Sequence, residues 1–221
     1  MGVAGPLAEV SPIFEKTYRN YLNDVGQYDF SPHQSRLGMR VNGNQMVIPF
    51  FGKEYAVSSA GVFLLSGDGA GPTPGFAASV VICKYLLLGT SGNDISDDSE
   101  WASYKDFRDA APLLDYFRHN AEQPIGACFS GRIVDLESAV LRLGGRHVTD
   151  DLSYDLKMRI VPLPRVPVLL LFNDADAEFP AECRILFERR AETFLDMESL
   201  AIVGALTAGY LKACLKSPDQ A

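Results

Sequence analysis

No Cys-x-x-Cys pair occurs in this sequence, and its four cysteines, Cys83, Cys128, Cys183 and Cys214, stand far apart. Structural zinc and iron–sulfur clusters draw on closely spaced thiolates, so neither is expected. Isolated thiols suit a reducing compartment. Basic residues are also scarce: 20 Lys and Arg stand against 28 Asp and Glu, a net charge of −8. Nucleic-acid binding needs a dense positive face, and anionic membranes need one too, so both are excluded as partners. The acidity itself favours solubility. There is no Gly-x-Ser-x-Gly elbow and no Gly-Lys-Ser or Gly-Lys-Thr, which removes the usual serine-nucleophile and P-loop signatures. The longest apolar runs, Ala77–Leu88 and Leu200–Leu211, contain Lys84 and Thr207 and are too short to span a bilayer. Met1–Leu7 has neither a basic region nor a long apolar stretch, so no secretory leader is expected and a cytoplasmic location is.

What is present is an ordinary globular composition, 47% apolar and 22% charged over 221 residues. That length fits one domain, 1–221, with residues 1–10 a loose terminus. A helix is expected over Pro12–Val25, with Phe14, Tyr18, Tyr21 and Leu22 on one face and Gly26 ending it. Leu37–Val41 and Met46–Phe51 flank Asn42-Gly43, a hairpin signal. Gly52-Lys53 marks a second turn, and Glu54–Ser58 and Val62–Leu65 read as further strands. After the glycine-rich loop 67–75, Phe76–Leu88 is apolar nearly all round and reads as a core helix.

Thr90–Glu100 is an acidic loop and Trp101–Tyr104 a short extended piece. Asp106–His119 reads as helical turns interrupted at Pro112, with Pro124 and Gly126 breaking the chain and leaving Cys128 in a loop. Arg132–Leu143 has helical periodicity. Tyr154–Ile160 alternates strictly and reads as a half-buried strand. Val161–Pro167 turns the chain into Val168–Phe172, a strand covered on both faces. Glu182–Leu195 reads as one or two helical turns. Asp196 caps a long final helix to Lys216, with Pro218 beyond it. Strands clustered together rather than alternating with helices argue α+β. The sheet is mainly antiparallel, with strands from the N-terminal hairpin and near 153–161 and 167–173, packed by several helices including a long C-terminal one.

Candidate chemistry is sparse. Asp174, Asp176 and Glu178 follow a buried-looking strand at every second position. In an extended loop they can point one way and offer hard oxygen ligands to Ca²⁺ or Mg²⁺, or supply acid–base groups. The plainer alternative is a solvated strand end with Asp176 or Glu178 capping the next turn; were Phe179 buried, Glu178 and Arg184 would form an ion pair. Trp101, Tyr104 and Phe107, with Tyr116 and Phe117, suit the wall of a flat cofactor's site or a core. His119 could ligate a corrinoid or haem axially, or sit at a helix C-terminus for its dipole; His33 and His147 lack a ligand partner at i+3 or i+4. Loop 67–75 could cradle an anion or be plain surface. Cys128 has no base nearby in sequence to make it a nucleophile.

Tyr85-Leu86-Leu87, Trp101 with Tyr104-Lys105-Asp106-Phe107, and Phe194-Leu195 with Glu198 form part of a recognisable pattern. Pro164-Arg165-Val166-Pro167-Val168, Asp176-Ala177-Glu178-Phe179-Pro180 and Ile185-Leu186-Phe187 form the rest. Together they resemble domain of unknown function 3786, an uncharacterised family of anaerobic bacteria and archaea. The resemblance runs from the first helix to the last and is most specific at Glu-Phe-Pro followed by Leu-Phe. Glu188 stands where the pattern has Asp, and Ala175 separates two acids. Some relatives carry a fused four-cysteine iron–sulfur module, which implies a setting in anaerobic one-carbon or corrinoid metabolism; this chain lacks that module. The expected function is a binding or accessory module for a small-molecule or corrinoid-type cofactor, with an iron–sulfur or corrinoid protein as partner. The alternatives are an enzyme using the acidic loop with a divalent metal, and a homodimeric interaction protein.

Overall fold

The computed structural model describes residues 12–66, 69–91, 100–149 and 153–216. The expected loose terminus, most of the acidic loop, the start of the glycine-rich loop and Pro218 lie outside the described residues. Helix α1 spans Pro12–Gln27. A short 3₁₀ turn and the four-residue helix α2, Gln34–Leu37, lead to an antiparallel meander: β1 Arg40–Asn42, β2 Gln45–Phe50, β3 Lys53–Ser58, β4 Gly61–Ser66 and β5 Gly69–Ala70. Asn42 pairs with Gln45 and Phe50 with Lys53, so both hairpins close on two residues. Gly43 supplies the positive φ of the first turn, while Phe51 and Gly52 both adopt positive φ (46° and 75°) in the second, the signature of a primed turn matched to strand twist.

Helix α3, Phe76–Leu88, crosses to the second half with the bounds its apolar run predicts. The second sheet has the order β6-β10-β9-β8-β7, every neighbour antiparallel. These strands are β6 Trp101–Ser103, β7 Arg146–His147, β8 Leu156–Leu163, β9 Val166–Asn173 and β10 Glu182–Glu188. β9 is central and buried along nearly its whole length, as its unbroken apolar sequence demands. β8 runs on to Leu163 through a bulge, so the turn into β9 is only Pro164–Arg165, tighter than the sequence suggests.

Two further expectations are corrected. Glu182–Glu188 is a strand, not helical turns: Cys183, Ile185 and Phe187 are buried while Glu182 and Arg184 are exposed. That is a period of two, and pairing with β9 fixes it. A 3₁₀ turn, Arg189–Thr193, follows. Nor do Pro124 and Gly126 break the chain. Helices α4, Leu114–Phe117, and α5, Gln123–Phe129, join through a π-helical segment, Arg118–Glu122. Proline has no N–H to donate and its ring crowds the carbonyl four residues back, and the π-helical turn directly before Pro124 accommodates both. Cys128 therefore sits half-buried on α5 rather than in a loop.

Helix α6, Ile133–Arg142, precedes β7. Helix α7, Met197–Lys216, packs on α3, α4, α5 and α6. Asp196 caps it, accepting from the Ser199 amide at 2.9 Å. Over Met197–Leu215 this helix is long and apolar enough to cross a membrane, contrary to the shorter run read from the sequence, but 44% of that window is buried inside the protein. The two sheets meet where the Phe51 amide donates to the Pro162 carbonyl at 3.0 Å and the Phe51 ring packs edge-on to Tyr210. Buried side chains from both sheets and the helices form one connected apolar cluster.

Candidate functional site

Two of the three carboxylates at the end of β9 accept from backbone amides. Asp174 Oδ1 accepts from the amides of Gly131 (2.6 Å) and Ala175 (2.8 Å), which ties the loop to the end of α5. Asp176 Oδ1 accepts from the amides of Glu178 and Phe179, and these bonds hold its carboxyl below the usual range. Glu178 is exposed, Phe179 is exposed, and Arg184 pairs with Glu182 at 2.7 Å instead. Among the described residues no group of three or more His, Cys, Asp or Glu side chains converges on a point where a metal could sit.

The aromatic candidates are packed rather than presented. Tyr104 stacks on Phe117 at 4.3 Å and 9°, and its hydroxyl donates to the Met197 carbonyl at 2.7 Å. Burial pushes that phenol up to about 12. Phe107 is buried against Phe187. Trp101 is partly covered at the start of β6, opposite Glu188. His119 is exposed within the π segment, not at a helix end, and its Nδ1 lies 2.6 Å from the Asp115 carbonyl. His33 contacts the Tyr28 hydroxyl and His147 the Glu137 carboxylate. Glu188 is buried at the end of β10, with Arg190 and Arg159 around it.

Three concave regions stand out among the described residues. Two lie on either side of the β9–β10 connection and share Pro180, Ala181 and Glu182. One, about 620 Å³, is bordered by Tyr154, Asp155 and Asp174; the other, about 660 Å³, by Arg118, Glu122 and Arg184. Charged side chains line both: the first is acidic, with Asp155, Asp174, Asp176 and Glu182, and in the second Arg184 is paired with Glu182 while Arg118 lies near Asp115. Glu122 Oε1 accepts from the Ile185 amide at 3.0 Å, and burial raises its pKa against that bond.

The third is different in kind. It is a cleft of about 370 Å³ between α1, α3 and α7. The rings of Phe14, Tyr18 and Tyr21 line it from α1, Phe76 and Val80 from α3, and Ile202 from α7. Ile13 and Phe14 at its mouth are 75% and 60% exposed. Lys84 and Glu198 also line it. Lys84, with only 12% of its side chain exposed, reaches Asp196 at 2.6 Å and Glu198 at 3.6 Å. Burial opposes the charge on Lys84, but the bond to Asp196 and the neighbouring charges outweigh it and raise its pKa.

The sequence places Phe14, Tyr18 and Tyr21 on one face of α1 but does not show how far that face is covered. The available signal was polarity: α3 and α7 are both apolar on more than one side, yet α1 is too polar overall to close over them.

No curated protein and no solved structure matches the chain. A family profile matches residues 29–210, which takes in both sheets and every element from the 3₁₀ turn before α2 to most of α7. The chain belongs to the family described as Domain of unknown function (DUF3786).

Proposed function

We propose that this protein is a small-molecule binding module and that its site is the cleft between α1, α3 and α7. The observation that carries this reading is an aromatic and aliphatic concavity of about 370 Å³ left open at the surface. Ligand sites run from roughly 300 to 1,000 Å³ and are mostly apolar with a few polar groups, and this cleft matches on both counts. Filling it removes apolar surface from water at about 25 cal/mol per Å². The two clefts beside the β9–β10 connection offer less of this gain, because a ligand there must also displace water from charged side chains on their walls.

The finer reading, a corrinoid-type cofactor of anaerobic one-carbon metabolism in a cytoplasmic setting, draws its support from the family resemblance alone. The residues of this cleft do not fit it. His33, His119 and His147 all lie outside the cleft, so it offers no imidazole as an axial ligand, and its volume suits a smaller body.

The test is titration with the neutral dye Nile red. The protein is expected to bind one equivalent with a blue-shifted emission, and Val80→Trp, which fills the cleft, to abolish binding while leaving the thermal midpoint close to that of the parent. Undiminished dye binding by the Val80→Trp protein would place the apolar site elsewhere and end this reading.

A further inference from the structure

The charges and rings of the cleft specify more than hydrophobicity. Four aromatic rings, those of Phe14, Tyr18, Tyr21 and Phe76, line it. Tyr18 and Phe76 meet at 69° with centroids 5.6 Å apart, so they form a corner rather than a flat stack. Aromatic faces carry negative potential and attract cations, ammonium groups above all.

The ionised groups point the same way. Among the described residues Lys84 is the one cationic side chain on the cleft wall, and it faces two carboxylates, Asp196 and Glu198, which together leave a charge of −1. Asp196 is committed: it makes the short contact to Lys84 and also caps α7 through the Ser199 amide. Glu198 is not committed to the same degree. At 3.6 Å its contact with Lys84 is beyond a good hydrogen bond, and its side chain is 69% exposed. A ligand carboxylate entering here would have to compete with Asp196 for Lys84 and would meet Glu198 as a like charge. A ligand ammonium would find ring faces and an available carboxylate.

We infer that the cleft takes an amphipathic organic cation, an ammonium or quaternary ammonium group on a hydrocarbon body. The head lies between the rings and Glu198, and the chain lies along Val80 and Ile202. This rests on the cleft being the ligand site proposed above.

The experiment compares three probes that share a ten-carbon chain, decyltrimethylammonium, decanol and decanoate, the two ionic ones kept below their micelle concentrations and decanol below its solubility limit. Binding is measured by calorimetry at pH 7 and low salt. The expected order is cation, alcohol, carboxylate, with the cation about tenfold tighter than the alcohol, the size of a partly desolvated cation–π contact. Glu198→Gln should reduce that preference several-fold and leave decanol unchanged. Glu182→Gln removes the same unit of charge from a distant surface and should change nothing, which separates a local contact from attraction to the acidic protein as a whole. Equal affinities, or tightest binding of decanoate, would overturn the inference about the head group and leave the cleft reading intact. Binding of none of the three would overturn both.

Discussion

Strand β6 covers β10 only from Leu186 to Glu188, so the Ile185 amide on the same edge needs another acceptor and takes it from Glu122 Oε1. An uncapped sheet edge is a hazard, and here a helix closes it. α5 lies so near that a Cβ on Gly126 would stand 3.1 Å from the Ala181 carbonyl oxygen. The two groups set opposite expectations. Glu122→Ala leaves a part-buried N–H without an acceptor and should cost about 1–3 kcal/mol, seen as a lower thermal midpoint at pH 7. Glu122→Gln keeps an acceptor and removes the desolvation of a charge. Burial raises the Glu122 pKa above its unfolded value, so its contribution is present below the ordinary glutamate range and is lost as pH rises through the folded value. The Glu122→Gln protein should therefore match or exceed the parent at pH 7 and fall behind it, if anywhere, only near pH 4. A large loss at pH 7 with Glu122→Gln would show that the negative charge itself is needed, for which Arg118 and Arg184 are the nearby candidates.

At the scale of elements, the sequence was most legible where pattern and burial agree. Helix α3 begins at Phe76 and ends at Leu88 because Gly75 and Gly89 bracket a run that is apolar but for Ser79 and Lys84. β9 is central because it has no polar face to expose. β10 was hidden because Glu182, Arg184 and Glu188 interleave its buried residues with charges that helices also carry; only pairing with β9 decides between the two. The π segment before Pro124 is set by tertiary contacts with α7 and β10, which no local propensity encodes. The cleft was half legible, since the residues of α1 were assigned to one face but how far that face is covered depends on where α3 and α7 lie. α7 itself starts at a junction that can be tested. Asp196 caps it and binds Lys84 of α3. Asp196→Ala should cost about 1–2 kcal/mol from the lost cap, or about 2–8 °C in thermal midpoint for a chain of this length. Burial acts to raise the Asp196 pKa, but its bonds to Lys84 and Ser199 prevail and lower it. Its contribution is thus present above the ordinary carboxylate range and lost as pH falls through the folded value. Lys84, raised, contributes below the ordinary lysine value of about 10.4 and loses this above it. The pair should give a stability plateau from about pH 5 to 9, and Asp196→Asn should flatten the acid limb in melts run from pH 3 to 7. An unchanged acid limb in that variant would assign the limb to other carboxylates.

Over the whole molecule, stability is distributed unevenly in a way that bears on binding. Strand β9 is buried almost throughout, its neighbours β8 and β10 bury alternate residues, and α7 packs on the helices. Helix α1 is at the other extreme: of its sixteen residues only Leu22 and Val25 are buried, and Ile13 and Phe14 stand largely in water. Few buried apolar contacts mean a low local opening free energy, so amide exchange should be fastest in α1 among the helices of three or more turns and slowest in β9. A ligand seated against Phe14, Tyr18 and Tyr21 on one side and Val80 on the other bridges the weakest element to a core helix. Saturation at a hundred times its dissociation constant stabilises the native state by about 2.7 kcal/mol, and the gain should show first where the ligand adds contacts. Hydrogen exchange with and without saturating decyltrimethylammonium should then slow the amides of α1 at least tenfold and leave those around Glu122 and β10 unchanged. Protection spread evenly over the chain, or centred on the β9–β10 connection, would mean that the ligand acts through global stability or through the clefts beside that connection. In that event α1 would be only a poorly covered helix, and the concavity beside it a packing gap rather than a site.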